Sequence, residues 1–301
     1  MRLHTLDRLS RRLLNLSLGL ALAGSVFAAA PTTFTVARSG PSAPDTPALI
    51  FVPGLACNGS VWDDAVARYA EDYDCHVLSL AGFAGTPAAD NHDAFINSVR
   101  DELITYIREE KLHNPVLIGH SLGGFTGLKL SLAAPDLLHG LMIVDSLPFF
   151  PAGSNPAATV DAILPMATAQ RNAMRGGTMS AAQSRQMMAM MVTDPADVER
   201  AVQMTLDSDP AAVAQAYFEI NTTDLRDQLD QASTPTVVLG SWIAYQAFGA
   251  TEATTRAIFE AQYAKHPQHR IVMSPKGRHF IQWDDPEFFF AELDTLLADG
   301  Q

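Results

Sequence analysis

The stretch "PVLIGHSLGGFTG", residues 115–127, sets an apolar run directly against Gly119-His120-Ser121-Leu122-Gly123. A short apolar run bounded by a turn reads as a buried strand. The residues behind it read as a helix from Leu122 to Ala134, stopped by Pro135. Strand, G-x-S-x-G and helix together are the setting in which a serine stands on a sharp turn with its hydroxyl clear of the sheet. Glycines at 119 and 123 remove the Cβ atoms that would keep strand and helix apart, and a helix N-terminus favours the charge that develops on an attacking oxygen. An ordinary turn serine needs neither feature. Ser121 is the candidate nucleophile.

Outward from this point, apolar runs alternate with helical patterns: "ALIFV" at 48–52, "CHVLSL" at 75–80, "GLMIV" at 140–144, "TVVLG" at 236–240 and "RIVMS" at 270–274. "TFTVAR" near residue 34 adds an edge strand. Ile96, Val99, Leu103 and Ile107 recur at helical spacing, and a last helix starts at Pro286, where the missing N–H costs nothing. The alternation predicts an α/β fold, a mostly parallel central sheet with helices on both faces. From Pro148 to Gln231 there is no strand signal, and the segment holds eight of the eleven methionines, including "QMMAMM" at 186–191. It is expected to be a helical insertion, 148–231, that caps an apolar pocket, with residues 29–147 and 232–301 forming the core. Methionine adapts to irregular apolar shapes, which suits a binding surface as well as ordinary packing between small helices.

Residues 1–28 differ in kind. Arg2, Arg8, Arg11 and Arg12 precede an apolar stretch, Leu13 to Phe27, that ends in small residues. This is the layout of a cleaved secretory signal, and the stretch is short for a stable membrane span. "SRRLLNL" resembles a twin-arginine signal in part, so either the general secretory or the twin-arginine route is open, with the periplasm or the medium as destination. A formal charge of −13 over the 301 residues argues against nucleic acid or an anionic membrane as partner. Export permits disulfides. Yet Cys57 is read beyond the end of one strand and Cys75 at the start of a parallel one, roughly 17 to 20 Å apart along a strand's length, too far to bridge. Two free thiols are expected.

A serine nucleophile needs a base, and nine histidines are available. His4 lies in the leader, and His120 adjoins Ser121 with its ring expected to point elsewhere. His76, His92, His113, His139, His266 and His269 fall in helices, strand starts or loops opposite the active edge. His279 follows the final strand in "SPKGRHFIQWDDPEFF", where a loop can reach back to Ser121.

These motifs resemble those of the α/β-hydrolases: "VPGLACNGSVWD" is similar to the family's oxyanion loop, "IGHSLGG" to its nucleophile elbow and "GRHFIQWDDPEFF" to its histidine loop. The resemblance spans nearly all of residues 33–298 and implies a Ser, acid, His chain order with His279 last. It also implies that the backbone N–H groups of Leu55 and Leu122 bind the oxyanion, although Pro53-Gly54-Leu55 stands where His-Gly-X is common. A second departure concerns the acid. The strand "TVVLG" is followed by "SWIAYQAFGAT" with no carboxylate before Glu252. Asp145, at the end of "GLMIV", preserves the chain order and is the preferred partner of His279, with Glu252 as the alternative and a turn-capping role for Asp145 as the other reading. Asp284 and Asp285 look like N-cap residues. Trp242, Tyr245 and Phe248 either wall a pocket or pack on the cap.

Taken together, these residues predict an exported serine hydrolase that cleaves a carboxylic ester of a small molecule with Ser121, His279 and Asp145, needing no cofactor or metal. Lactone, amide and carbon–carbon bond hydrolysis use the same triad, and a noncatalytic relative that binds a small ligand under the cap is the alternative of a different class.

Overall fold

The computed structural model describes residues 32–89, 93–177 and 179–299. The proposed leader, residues 1–28, lies outside them. Seven strands form one sheet: β1 Phe34–Ser39, β2 Pro47–Val52, β3 Asp74–Leu80, β4 His113–His120, β5 Gly140–Val144, β6 Thr236–Gly240 and β7 His269–Met273. Their order is β1-β3-β2-β4-β5-β6-β7, with β1 antiparallel to β3 and the rest parallel.

Alternation along each strand builds two cores. Ile50, Val52, Leu117, Ile143 and Val238 face α2 (Phe95–Glu109) and α3 (Leu122–Ala133), joined by α8 (Glu252–Tyr263). Leu49, Phe51, Ile118, Val144 and Leu239 face α1 (Asp63–Tyr69) and the C-terminal helix, Pro286–Asp299. Cys57 and Cys75 are free and buried, and burial pushes both thiols up to about 12.

Between β5 and β6 the described residues contain no strand. Helices α4 (Val160–Arg175), α5 (Ala181–Met191), α6 (Pro195–Leu206) and α7 (Pro210–Thr222) occupy the segment read as an insertion. Met188 of α5 and Val198, Val202 and Met204 of α6 join the second core. A short helix α9 (Ile281–Asp284) precedes the C-terminal helix, α10. Among the described residues no helix is long and apolar enough to cross a membrane.

The elbow is where backbones approach most closely. A Cβ on Gly123 would stand 2.2 Å from Val52 O and 2.7 Å from Pro53 O, and one on Gly119 would stand 2.4 Å from the Gly123 carbonyl carbon. These neighbours are main chain and cannot turn aside as a side chain could. Gly123→Ala should therefore destabilise the protein by about 3 kcal/mol through overpacking, read as a lower urea midpoint; an unchanged midpoint would mean that β2 and α3 are not in this contact.

Three buried histidines set a pH dependence. Burial lowers the pKa of His76, of His120 by a wide margin, and of His266 to about 4. Each binds its proton more readily once unfolded, so below the ordinary value of 6.5 the unfolded chain carries more protons than the folded one. Stability must then fall as pH drops from 6.5 towards 4. His266→Gln should flatten that fall, measured as urea midpoint against pH, and an equally steep fall in the variant would contradict the burial of a neutral His266.

Candidate active site

Parallel register assembles the site at the carboxyl edge of the sheet. His120 of β4 pairs with Val144 of β5, and Val144 with Leu239 of β6, so Ser121 and Asp145 leave neighbouring strands at one level. The ladder continues past each strand end: Ser121 N–H donates to Val144 O at 2.8 Å, Asp145 N–H to Leu239 O at 2.8 Å and Ser274 N–H to Gly240 O at 2.9 Å. Both chains turn sharply there, with positive φ at Ser121 (50°) and Asp145 (51°). Such backbone is strained for residues with a Cβ and persists where the surroundings over-determine it. Leu122 is the first residue of α3, so its N–H has no acceptor within the helix. Gly54 packs on the elbow, where an added Cβ would meet Ser121 Cβ at 3.4 Å and His120 Nδ1 at 2.8 Å. Leu55 follows it, so the loop with the second predicted oxyanion donor lies against the elbow.

The structure brings His279 and Asp145 together, with Nδ1 and Oδ2 2.6 Å apart. A carboxylate only accepts, so the proton of a neutral His279 sits on Nδ1 and leaves Nε2 free to take another. The other Asp145 oxygen accepts Ser241 N–H at 2.9 Å, and Tyr263 OH ties down the next residue by donating to Ser146 O at 3.0 Å. Asp145 is 8% exposed, so both oxygens are engaged away from bulk water. Glu252 does not share this place: it starts α8 and pairs with Arg256 at 3.0 Å. Ser121 and His279 share no hydrogen bond among the described residues.

His120 does not simply point away. Its ring lies under His279 with centroids 4.6 Å apart, and Nε2–H donates to His279 O at 3.1 Å. Burial and the neighbouring His279 hold it neutral. Asp285 stands at the N-cap position of the helix that starts at Pro286, its carbonyl accepting Phe289 N–H at 3.0 Å, whereas Asp284 differs from the N-cap expectation. Asp284 ends α9 and accepts the N–H and hydroxyl of Thr193, while Asp285 accepts the Ser274 hydroxyl at 2.8 Å and lies 3.3 Å from Lys276 Nζ.

Residues 243–248 form a 3-10 turn against α5. Phe248 is 76% exposed, so it does not pack on the insertion, and Met190 of α5 is exposed as well. Burial and the charge of Asp145 push the Tyr245 hydroxyl up to about 12, although its ring is half exposed. Two cavities of about 370 and 360 Å³ lie elsewhere, one at the start of β4 beside His113 and His139 and one between Asn58 and Arg200. Neither is lined by Ser121, Asp145 or His279. Among the described residues no cluster of three His, Cys, Asp or Glu could hold a metal ion.

Ser241 and Tyr263 were not legible as site residues. Ser241 acts through a backbone N–H that any residue but proline would supply, and Tyr263 reaches Ser146 across 117 residues of chain.

Known proteins share this architecture. A pimeloyl-[acyl-carrier protein] methyl ester esterase from Aeromonas hydrophila is 28% identical over 259 residues, covering 84% of this chain and 96% of that protein. The enol-lactonase of Burkholderia xenovorans LB400 superposes with a TM-score of 0.70 at 17% identity, covering 90% of this chain and 99% of the other. A thermophilic esterase from Thermogutta terrifontis does so with 0.67 at 20% identity, covering 89% and 97%. At such identities the structural likeness is one of fold. The match that decides kinship runs over residues 49–292, most of the chain, and on it the protein belongs to the Alpha/beta hydrolase family.

Proposed function

We propose that the protein is an exported serine hydrolase that cleaves carboxylic esters through an acyl-enzyme. The observation that carries this reading is the bond from Asp145 to His279 Nδ1, set beside a positive-φ serine at a helix N-terminus. As Ser121 Oγ attacks the ester carbonyl, His279 Nε2 takes its proton, and Asp145 stabilises the imidazolium that forms. Charge moves to the carbonyl oxygen, where the N–H groups of Leu55 and Leu122 receive it. Collapse breaks the ester bond, and His279 returns the proton to the departing alcohol. Water then repeats the sequence on the acyl-serine and frees the acid.

The surroundings favour an uncharged substrate with an apolar acyl or alkyl part. In this reading the helical insertion is a cap: α5, which carries the methionines of residues 186–191, lies against the turn that holds Tyr245 and Phe248, and methionine suits an adaptable apolar surface. The Aeromonas relative is named for a methyl ester, which fits the same chemistry. Export rests on the leader-like residues 1–28 and places the substrate outside the cytoplasm.

Ser121→Ala should abolish turnover of a short nitrophenyl ester with an unchanged thermal melt. Asp145→Asn should lower kcat roughly 10³- to 10⁴-fold by stabilising the wrong imidazole tautomer, while Glu252→Gln stays near wild type. Turnover retained by Ser121→Ala would remove the nucleophile from this account, and a large loss in Glu252→Gln with a small one in Asp145→Asn would move the acid.

A further inference from the structure

The loop that carries His279 belongs to no regular element. It runs from the end of β7 at Met273 to the start of α9 at Ile281, and beyond the Ser274 N–H bond to Gly240 O no ladder fixes its place. Side chains must do so, and a base displaced by about 1 Å can cost up to 100-fold in rate.

The last turn of a helix leaves carbonyls without donors, and a cation there is favoured by the helix dipole. Helix α5 has no basic residue in its last turn. The histidine loop supplies one. Arg278 donates to Ala189 O, and to Val192 O at 3.1 Å. On the other side of His279, Phe280 N–H donates to Met191 O at 3.3 Å. The residues immediately before and after the histidine thus both grip the end of the methionine-rich helix.

Asp284 closes the arrangement. One carboxylate accepts Thr193 N–H at 2.9 Å, the Thr193 hydroxyl at 3.0 Å and Arg278 N–H at 2.9 Å. It therefore joins the turn between α5 and α6 to the backbone beside His279. Beneath these bonds Met188 and Val192 pack in one apolar cluster with Phe280 and Ile281. A further tie runs to the oxyanion side: Arg200 of α6 lies 4.9 Å over the Trp283 ring, and Trp283 Nε1–H donates to Val61 O at 3.1 Å.

We propose that Arg278, Asp284 and Thr193 are positioning residues that set His279 by locking its loop to α5. The methionine-rich helix is then a fixed wall of the site and not a lid that swings free of the base. This rests on the reading of His279 as general base. Its consequence is a defect in kcat rather than in KM, because the latch touches the base and not the substrate.

The test compares Thr193→Val, Asp284→Asn and the double variant in the full-length protein. Each single change should lower kcat on a short nitrophenyl ester roughly 10-fold, with KM within about twofold. The double variant should be no slower than Asp284→Asn, since both remove one shared interaction. A structural role alone would lower the melting temperature yet leave kcat per folded molecule unchanged, and that result overturns the latch. The downfield N–H resonance of the His279–Asp145 bond gives a readout without turnover. It should shift or broaden in Asp284→Asn, and an unperturbed resonance there would overturn the latch. Failure of the wild type to cleave esters would count instead against Ser121 as nucleophile, with the resonance still deciding the latch.

Discussion

The register of the parallel strands is the constraint on which the rest depends. Because His120 pairs with Val144, the residues that follow each strand emerge side by side, one as a serine and the other as an aspartate. Neighbouring strands are about 4.8 Å apart, so a shift of one residue would carry either side chain to the opposite face or a pleat away. The glycines of the elbow enforce the same constraint from the other side, since α3 can begin at Leu122 only if Gly123 lies on the carbonyls of Val52 and Pro53. Stability and chemistry are thus specified by the same close contact.

Electrostatics follow from that placement. Asp145 is nearly buried, a costly position for a charge, and two donors offset the cost: the Ser241 N–H and His279 Nδ1–H. His120, directly beneath, is kept neutral by burial and presents His279 with a hydrogen bond to its backbone instead of a second positive charge. A protonated ring at that point would oppose the imidazolium that the proposed reaction forms.

Much of this was legible in the sequence. β5 and β6 fall on their apolar runs, and the ends of the other strands lie within two residues of theirs, because fully buried parallel strands leave continuous apolar runs bounded by turns. Ser121 was legible from the strand before it and the helix after it, and His279 from chain order. Asp145 was proposed from a vacancy, the missing carboxylate after β6, and there the structure places Ser241, whose N–H donates to the Asp145 carboxylate. What the sequence concealed is long-range. Asp284 reads locally as a helix cap, yet its carboxylate serves Thr193, 91 residues away. His120 was expected to point its ring elsewhere, and only the folded chain sets that ring against His279. Pattern and spacing report local geometry and burial. They carry no record of which loop will meet which helix.

The proposed reaction requires Ser121 to be a nucleophile activated by His279. Treating the purified protein with a fluorophosphonate probe and mapping the adduct by peptide mass spectrometry tests it most directly. One adduct per chain is expected, on Ser121, with labelling strongly slowed in His279→Ala. An adduct on another residue, or an unlabelled folded protein, would contradict it.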